Sequence, residues 1–193
     1  MRTELPRQIV HLSGLVFIIF AQFIGREMTI IYFSFIALFF FLYSLYVRSQ
    51  ESKLFKSLER FETKFRDFVF KFERKDVQNP FTGAMFFYIG CTLTFVLFPF
   101  TIASAACAML AVGDSLSTLI GKKFGKHRIG RKTLEGSVAC FLGSLLAGIF
   151  FINPFLSLIG AIASSLTELF PKVNDNLTIP VISGLVMFLV SLI

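Results

Sequence analysis

After residue 80 the 193-residue chain has only four carboxylates, Asp114, Glu135, Glu168 and Asp175. Between the first two runs Gly121-Lys122-Lys123-Phe124-Gly125-Lys126-His127-Arg128-Ile129-Gly130-Arg131-Lys132, with three glycines and six fixed cations. Glycines allow turns and close backbone approach, and ammonium and guanidinium groups neutralise phosphate oxygens. Carboxylates beside phosphate-binding cations are the ingredients of a magnesium–nucleotide site. Neither G-x-x-x-x-G-K-[ST] nor G-x-G-x-x-G occurs, so neither a P-loop nor a Rossmann site is proposed.

The elements that must hold these groups are apolar. Hydrophobic residues make up 55% of the chain, with 27 Phe and no Trp. Seven apolar runs, at 9–24, 28–47, 81–98, 101–120, 134–152, 155–170 and 177–193, are long enough or nearly so to cross a hydrocarbon core. The alternating pattern of a membrane β-barrel is absent. The expected fold is therefore an all-α membrane protein, residues 1–193 forming one membrane domain of about seven transmembrane helices. A cleaved leader is not expected, because Ala21-Gln22-Phe23 is not a small-x-small site. Cys91, Cys107 and Cys140 lie inside apolar runs without metal-ligand spacing and read as packing residues.

With seven spans, 18 of the 19 Lys and Arg residues fall on one side, leaving only Arg26 on the other. The positive-inside rule makes the basic side, and the N-terminus, cytoplasmic. The expected location is a multi-pass integral membrane protein, of the plasma membrane in a prokaryote or the endoplasmic reticulum in a eukaryote. In the polar segment Leu54, Leu58, Phe61, Phe65, Phe68 and Phe72 recur at helical spacing among balanced charges. Residues 48–78 are thus expected to form one amphipathic helix on the cytoplasmic side, lying on the inner leaflet, with a coiled-coil seam or docking on the bundle as the other reading. The 121–135 segment is expected as a cytoplasmic basic loop, facing phosphates and anionic lipid, not nucleic acid.

The depth of the acids agrees with this frame. Asp114 sits six residues before its run ends, Glu135 opens the fifth run, Glu168 nearly closes the sixth and Asp175 precedes the seventh. All four converge on the cytoplasmic boundary, where a carboxylate as deep as Asp114 calls for a partner. Thr133 reads as the N-cap of the fifth run, and Asn174-Asp175-Asn176 as a turn and cap before the seventh. Small residues in the fourth and fifth runs (Ala103 to Gly113; Gly143, Ser144, Ala147, Gly148) mark those two as central. The Phe- and Ile-rich second run faces lipid.

Gly113-Asp114, Gly121, Gly125 and Lys132-Thr133-Leu134-Glu135-Gly136 resemble the signature of the CTP-dependent lipid-alcohol kinases. That family comprises dolichol or polyprenol kinase, phytol kinase and the CTP-using diacylglycerol kinase, and is related to phosphatidate cytidylyltransferase. Arg7 and His11, Thr82-Gly83, Glu168 and Asp175-Asn176-Leu177-Thr178-Ile179-Pro180 are similar to its outer elements, with Gln8 standing where Lys follows the arginine. The Gly-Gly that closes the cytidylyltransferase signature has no counterpart after Gly136, which favours kinase over nucleotidyl transfer.

The resemblance implies transfer of the γ-phosphoryl group of CTP to the hydroxyl of a membrane lipid alcohol, dolichol or polyprenol first among them, with magnesium as cofactor. It implies Asp114 as the magnesium ligand, helped by Glu135 and Asp175. Lys122, Lys126 and Lys132 would hold phosphates, and Gly121 and Gly125 would shape the loop. Gly113, Ser117, Thr133 and Asn176 would complete the nucleotide site. His11, Glu168 and Asp175 remain equal choices for the group that takes the alcohol's proton. A CDP-lipid-forming cytidylyltransferase would use the same site. A small transporter would instead place ionisable groups at mid-span.

Overall fold

The computed structural model describes residues 4–49, 82–170 and 173–193. Almost all of the amphipathic 48–78 segment lies outside the described residues. The described chain is helical apart from a two-stranded hairpin.

Helix α1 (Glu4–Ser49) is two helical halves meeting at Gly25, whose φ of 79° breaks the regular ladder. The break falls between the first two apolar runs. Thr29 donates to the freed Gly25 carbonyl at 2.7 Å. Arg26 donates to the carbonyls of Phe95 and Val96, both at 2.8 Å, satisfying the C-terminal end of the next helix, α2 (Thr82–Leu97). Arg26 is therefore a helix cap.

Helix α3 (Phe100–Met109) runs through one π-helical turn (Leu110–Asp114) into α4 (Ser115–Phe124). Strands β1 (Arg128–Ile129) and β2 (Lys132–Thr133) pair antiparallel, Arg128 opposite Thr133 and Ile129 opposite Lys132. Gly130, at φ 61°, makes the two-residue turn between them. Three helices follow: α5 (Leu134–Ile149), α6 (Pro154–Leu169) and α7 (Asp175–Ser191). Their N-caps are built by side chains. Thr133 accepts from Gly136 N at 3.2 Å, Asn153 from Leu156 N at 2.9 Å, and Asn174 from Asn176 N at 3.0 Å.

Each of the seven apolar runs falls on one helical segment of this arrangement. Two stretches, His11–Leu45 and Phe100–Phe124, are long and apolar enough by themselves to cross a membrane. The other four apolar helices have 16 or 17 residues each.

The centre belongs to α3, as its small residues require: Ile102 through Ala111 are all buried. Close approach is enforced by glycines facing side chains. A Cβ on Gly113 would collide with Ser144 Oγ, and one on Gly148 with Met109 and Ser157. The second half of α1 leaves Phe35, Leu38, Phe39, Phe41 and Leu42 exposed and packs Phe33 onto Tyr88 and Phe95 of α2, at ring separations of 5.5 and 5.8 Å.

Two expectations need correction. The basic segment is not a loop from residue 121: α4 continues to Phe124, so Gly121 and Lys122 are helical, and the hairpin occupies 128–133. Lys122 and Lys123 in the last turn complement the helix dipole. Consequently Asp114 lies ten residues before the helix ends instead of six, about 15 Å along its axis.

Candidate active site

At one end of the bundle, the hairpin, the end of α6 and the start of α7 meet around a lysine. Hairpin strand β2 presents Lys132, whose Nζ donates to Glu168 Oε1 at 2.7 Å and Asp175 Oδ2 at 2.9 Å. Glu168, near the end of α6, is fully buried. Its carboxylate also accepts from Ser117 Oγ of α4 at 2.5 Å and Ser137 Oγ of α5 at 3.2 Å. Three donors thus compensate one buried charge. Burial works against the Lys132 ammonium, yet Glu168 and Asp175 outweigh it and raise its pKa above the ordinary lysine range. Burial raises the Asp175 carboxyl, and Lys132 opposes that shift.

A second cluster lies beside the first, one residue along α7. His11 Nε2 is 2.8 Å from Asn176 Oδ1 and 3.8 Å from Asp114 Oδ2. The short distance to a carbonyl oxygen makes Nε2 a donor. Asn176 Nδ2 in turn donates to the Gly83 carbonyl at 2.9 Å, tying the start of α2 to the site. Gly90 is needed below this contact, because a Cβ there would run into the backbone of Asn176 and Leu177. The π-helical turn ends on Asp114, and such turns recur at functional sites.

Asp114, Glu168, Asp175, Lys132 and His11 are thereby brought together through these contacts. Glu135 is not part of the network. It sits, half-buried, in the first turn of α5 and binds His127, through Nδ1 at 2.7 Å and the backbone N at 3.2 Å. Among the described residues no group of three or more His, Cys, Asp and Glu could hold a metal by itself. Asp114, Glu135 and Asp175 therefore do not close into a protein-only cage, since Glu135 is turned to the hairpin.

Several residues expected at the nucleotide also make structural ties. Ser117 holds Glu168, Thr133 caps α5, and Asn176 bridges His11 and Gly83. Gly113 makes room for Ser144, while Gly121 and Gly125 make room for Thr133. Lys122 and Lys126 stand exposed on the rim. Ser137, Ser115 and Gly90 were not singled out from sequence. Ser115 Oγ donates to the Ala111 carbonyl at 2.7 Å and lies 3.4 Å from His11 Nδ1. A lone serine in an apolar helix gives no signal of its own, so only the fold reveals these.

The residues present fit a magnesium that arrives on a nucleotide. Such an ion keeps waters and phosphate oxygens and needs only one or two carboxylates. Asp175 Oδ1 is buried with no hydrogen-bond partner among the described residues, and Asp114 is close enough to disfavour its charge. A divalent cation would relieve both.

No protein-family model matches the chain, and no solved structure matches it. It is 28% identical to an uncharacterised protein of Rickettsia prowazekii over 187 residues, 92% of this chain and 89% of that protein. It is 27% identical to the CTP-dependent diacylglycerol kinase of Schizosaccharomyces pombe, matching 61% of this chain and 64% of the kinase. It is 28% identical to the dolichol kinase of the same yeast, over 64% of this chain and 28% of that protein. A phytol kinase of Synechocystis is 34% identical over 98 residues, 44% of this chain and 42% of that enzyme. The chain thus spans less than two thirds of the length of each of these named kinases. At modest identity, the chain is thus similar to CTP-dependent diacylglycerol kinases, a dolichol kinase and a phytol kinase.

Proposed function

We propose that the chain is a membrane kinase that moves the γ-phosphoryl group of CTP to the hydroxyl of a lipid alcohol, releasing CDP and the lipid phosphate. The observation that supports it best is the Lys132–Glu168–Asp175 centre with Asp114 and His11 beside it, in a chain whose named relatives are lipid kinases. The seven helical segments would each cross the bilayer, the 16- and 17-residue ones reaching into the interfacial zone. The basic hairpin would then face the cytosol, where the nucleotide is.

Phosphoryl transfer needs in-line positioning and charge neutralisation more than covalent help from the protein. Lys132 is the fixed cation at the centre of the site, held by Glu168 and Asp175 so that no reorganisation is needed when charge develops on the phosphate. Lys122 and Lys126 add positive charge on the approach from the cytosol. Asp114 and the unpaired oxygen of Asp175 would hold magnesium, which would supply positive charge to neutralise the phosphates. The acceptor oxygen forms its bond to the γ-phosphorus as the bond to the β–γ bridging oxygen breaks, and the hydroxyl proton passes to His11 or Asp175. Glu168 is a poor receiver for it, because both of its oxygens already accept from Lys132, Ser117 and Ser137.

The acceptor is proposed as dolichol or a polyprenol. Diacylglycerol and phytol, named in other relatives, are the competing acceptors. Purified protein incubated with γ-labelled CTP, magnesium and a panel of lipid alcohols tests the reading. Label in a lipid phosphate supports it. A product that retains the cytidine would make the protein a cytidylyltransferase instead.

A further inference from the structure

Glu135 takes no part in the Lys132 centre, yet both of its oxygens are engaged. They accept from the His127 ring at 2.7 Å and from the His127 backbone N–H at 3.2 and 3.3 Å. A ring nitrogen this close to a carboxylate is a donor. The carbonyl of the same histidine accepts from Leu134 N at 2.9 Å. Residues 134 and 135 therefore hold His127 by its ring, its N–H and its carbonyl. The Glu135 side chain is 26% exposed and that of His127 76%, so the acid is the seated member and the histidine is what it holds. A metal ion at Glu135 would have to displace these contacts.

Position says what the grip is for. His127 immediately precedes β1 and Leu134 immediately follows β2, so the contacts close the base of the hairpin. Two strands of two residues each, turning at Gly130, are too short to stay paired in water by themselves. Ile129 of β1 is the register partner of Lys132, and Lys132 reaches from β2 to Glu168 and Asp175. What fixes β1 therefore also fixes the segment that carries the lysine. The entry to the hairpin is equally tight, since a Cβ on Gly125 would strike the Gly121 carbonyl and Thr133. A cation that stabilises developing charge is effective only if it is in place beforehand. Without its base closed, the hairpin would hold Lys132 in place for only part of the time.

We infer that Glu135 is a positioning residue: by gripping His127 it closes the base of the hairpin and keeps Lys132 aimed at the phosphates of the nucleotide. The inference rests on the lipid-kinase reading above and deepens it. It gives Glu135 a role through the hairpin and not through the metal.

The test compares wild type with Glu135→Ala, His127→Ala, the double variant, and His127→Asn, whose amide N–H can stand in for the ring donor. Each full-length protein in nanodiscs is assayed with CTP, magnesium and the lipid alcohol that wild type phosphorylates. Amide hydrogen exchange and Tm are followed on the same samples. Glu135→Ala should lower kcat/KM for CTP about tenfold, the factor matching one hydrogen bond to a charged group. His127→Ala should act in the same direction, the double variant should be no worse than Glu135→Ala, and His127→Asn should recover most of the loss. KM for the lipid alcohol and the magnesium concentration for half activity should stay at wild-type values. Exchange should quicken at residues 128–133 and not in α3 or α6. A raised magnesium requirement in Glu135→Ala, with His127→Ala as active as wild type, would make Glu135 a metal ligand and overturn the inference. Exchange quickened throughout the helices, with a lower Tm and no recovery in His127→Asn, would show a structural role alone and overturn it as well. Wild type that phosphorylates no lipid alcohol would overturn the kinase reading, while exchange at the hairpin still decides whether Glu135 closes it.

Discussion

Lys132 and Glu168, 36 residues apart, meet at 2.7 Å with the carboxylate fully buried and the ammonium three-quarters buried. A short hairpin delivers the lysine and a helix end delivers the acid, so the pair staples the basic segment onto the bundle. Removing one partner of such a pair leaves the other charge buried and alone, typically a loss of ~3 kcal/mol or more. Lys132→Ala should therefore lower both thermal stability and turnover, and Lys132→Ala/Glu168→Gln should recover part of the stability but none of the activity. Thermal melts and rate assays on the single and double variants decide this. An active, stable Lys132→Ala protein would remove the pair from both roles.

The raised pKa of Lys132 fixes the sign of its pH dependence. A folded-state pKa above the unfolded one contributes stability that is full below the unfolded lysine value and is lost as pH climbs through the folded value. The Tm difference between wild type and Lys132→Met should hold constant from neutral pH to about pH 10 and shrink only in stronger alkali. A difference that disappears by pH 8 would contradict the pairing.

Asp114→Asn preserves shape and removes the charge proposed to hold nucleotide-borne magnesium. Activity should fall by orders of magnitude, because transition-state stabilisation worth several kcal/mol is lost. Folding should survive, since an amide at that depth costs less than a carboxylate. Turnover and melting temperature measured together check both halves. A fully active variant would sink the proposed role of Asp114.

Gly113 is a close-packing residue whose replacement by Ala drives a methyl into Ser144 Oγ. Overpacking of this kind costs ~1–3 kcal/mol. Gly113→Ala should melt earlier, and Ser144→Ala in the same chain should restore part of the loss. Absence of any rescue would place the strain elsewhere.

Topology is a separate prediction from the charge asymmetry. Lys126 should be reachable from the cytosol and Ile193 from the opposite side. Single-cysteine labelling at the two positions in a cysteine-depleted chain would show it. Labelling of both from the same side would exclude an odd number of crossings.

Much of this protein could be read from its residues in order. The period and length of apolar runs do not depend on tertiary contacts, so seven helical segments followed from them, though not every boundary: α4 runs on to Phe124. The caps at Thr133 and Asn174 are equally local, because a side-chain oxygen reaches an N–H only two or three residues ahead. Small residues announced the central helix for a related reason: backbones approach only where side chains are absent. That Asp114, Glu168 and Asp175 lie toward one end of the bundle was legible as well, although Asp114 stands further from its helix end than counting along the apolar run gave.

Partnership was not legible. Sequence distance says nothing about which of four acids Lys132 meets, and it pairs with Glu168 and Asp175 while Glu135 turns to His127. Nor could spacing tell that Ser117 serves Glu168, that Asn176 links His11 to the backbone of Gly83, or that Gly121 and Gly125 make room for Thr133. The hairpin at 128–133 escaped because two residues per strand are too few to show a period. Buried, unpartnered Gln8 Oε1 is visible only in three dimensions. Helices arise from contacts a few residues apart, which sequence order preserves. The site arises from contacts up to 165 residues apart, such as His11 with Asn176, and only the packing of the helices brings those together.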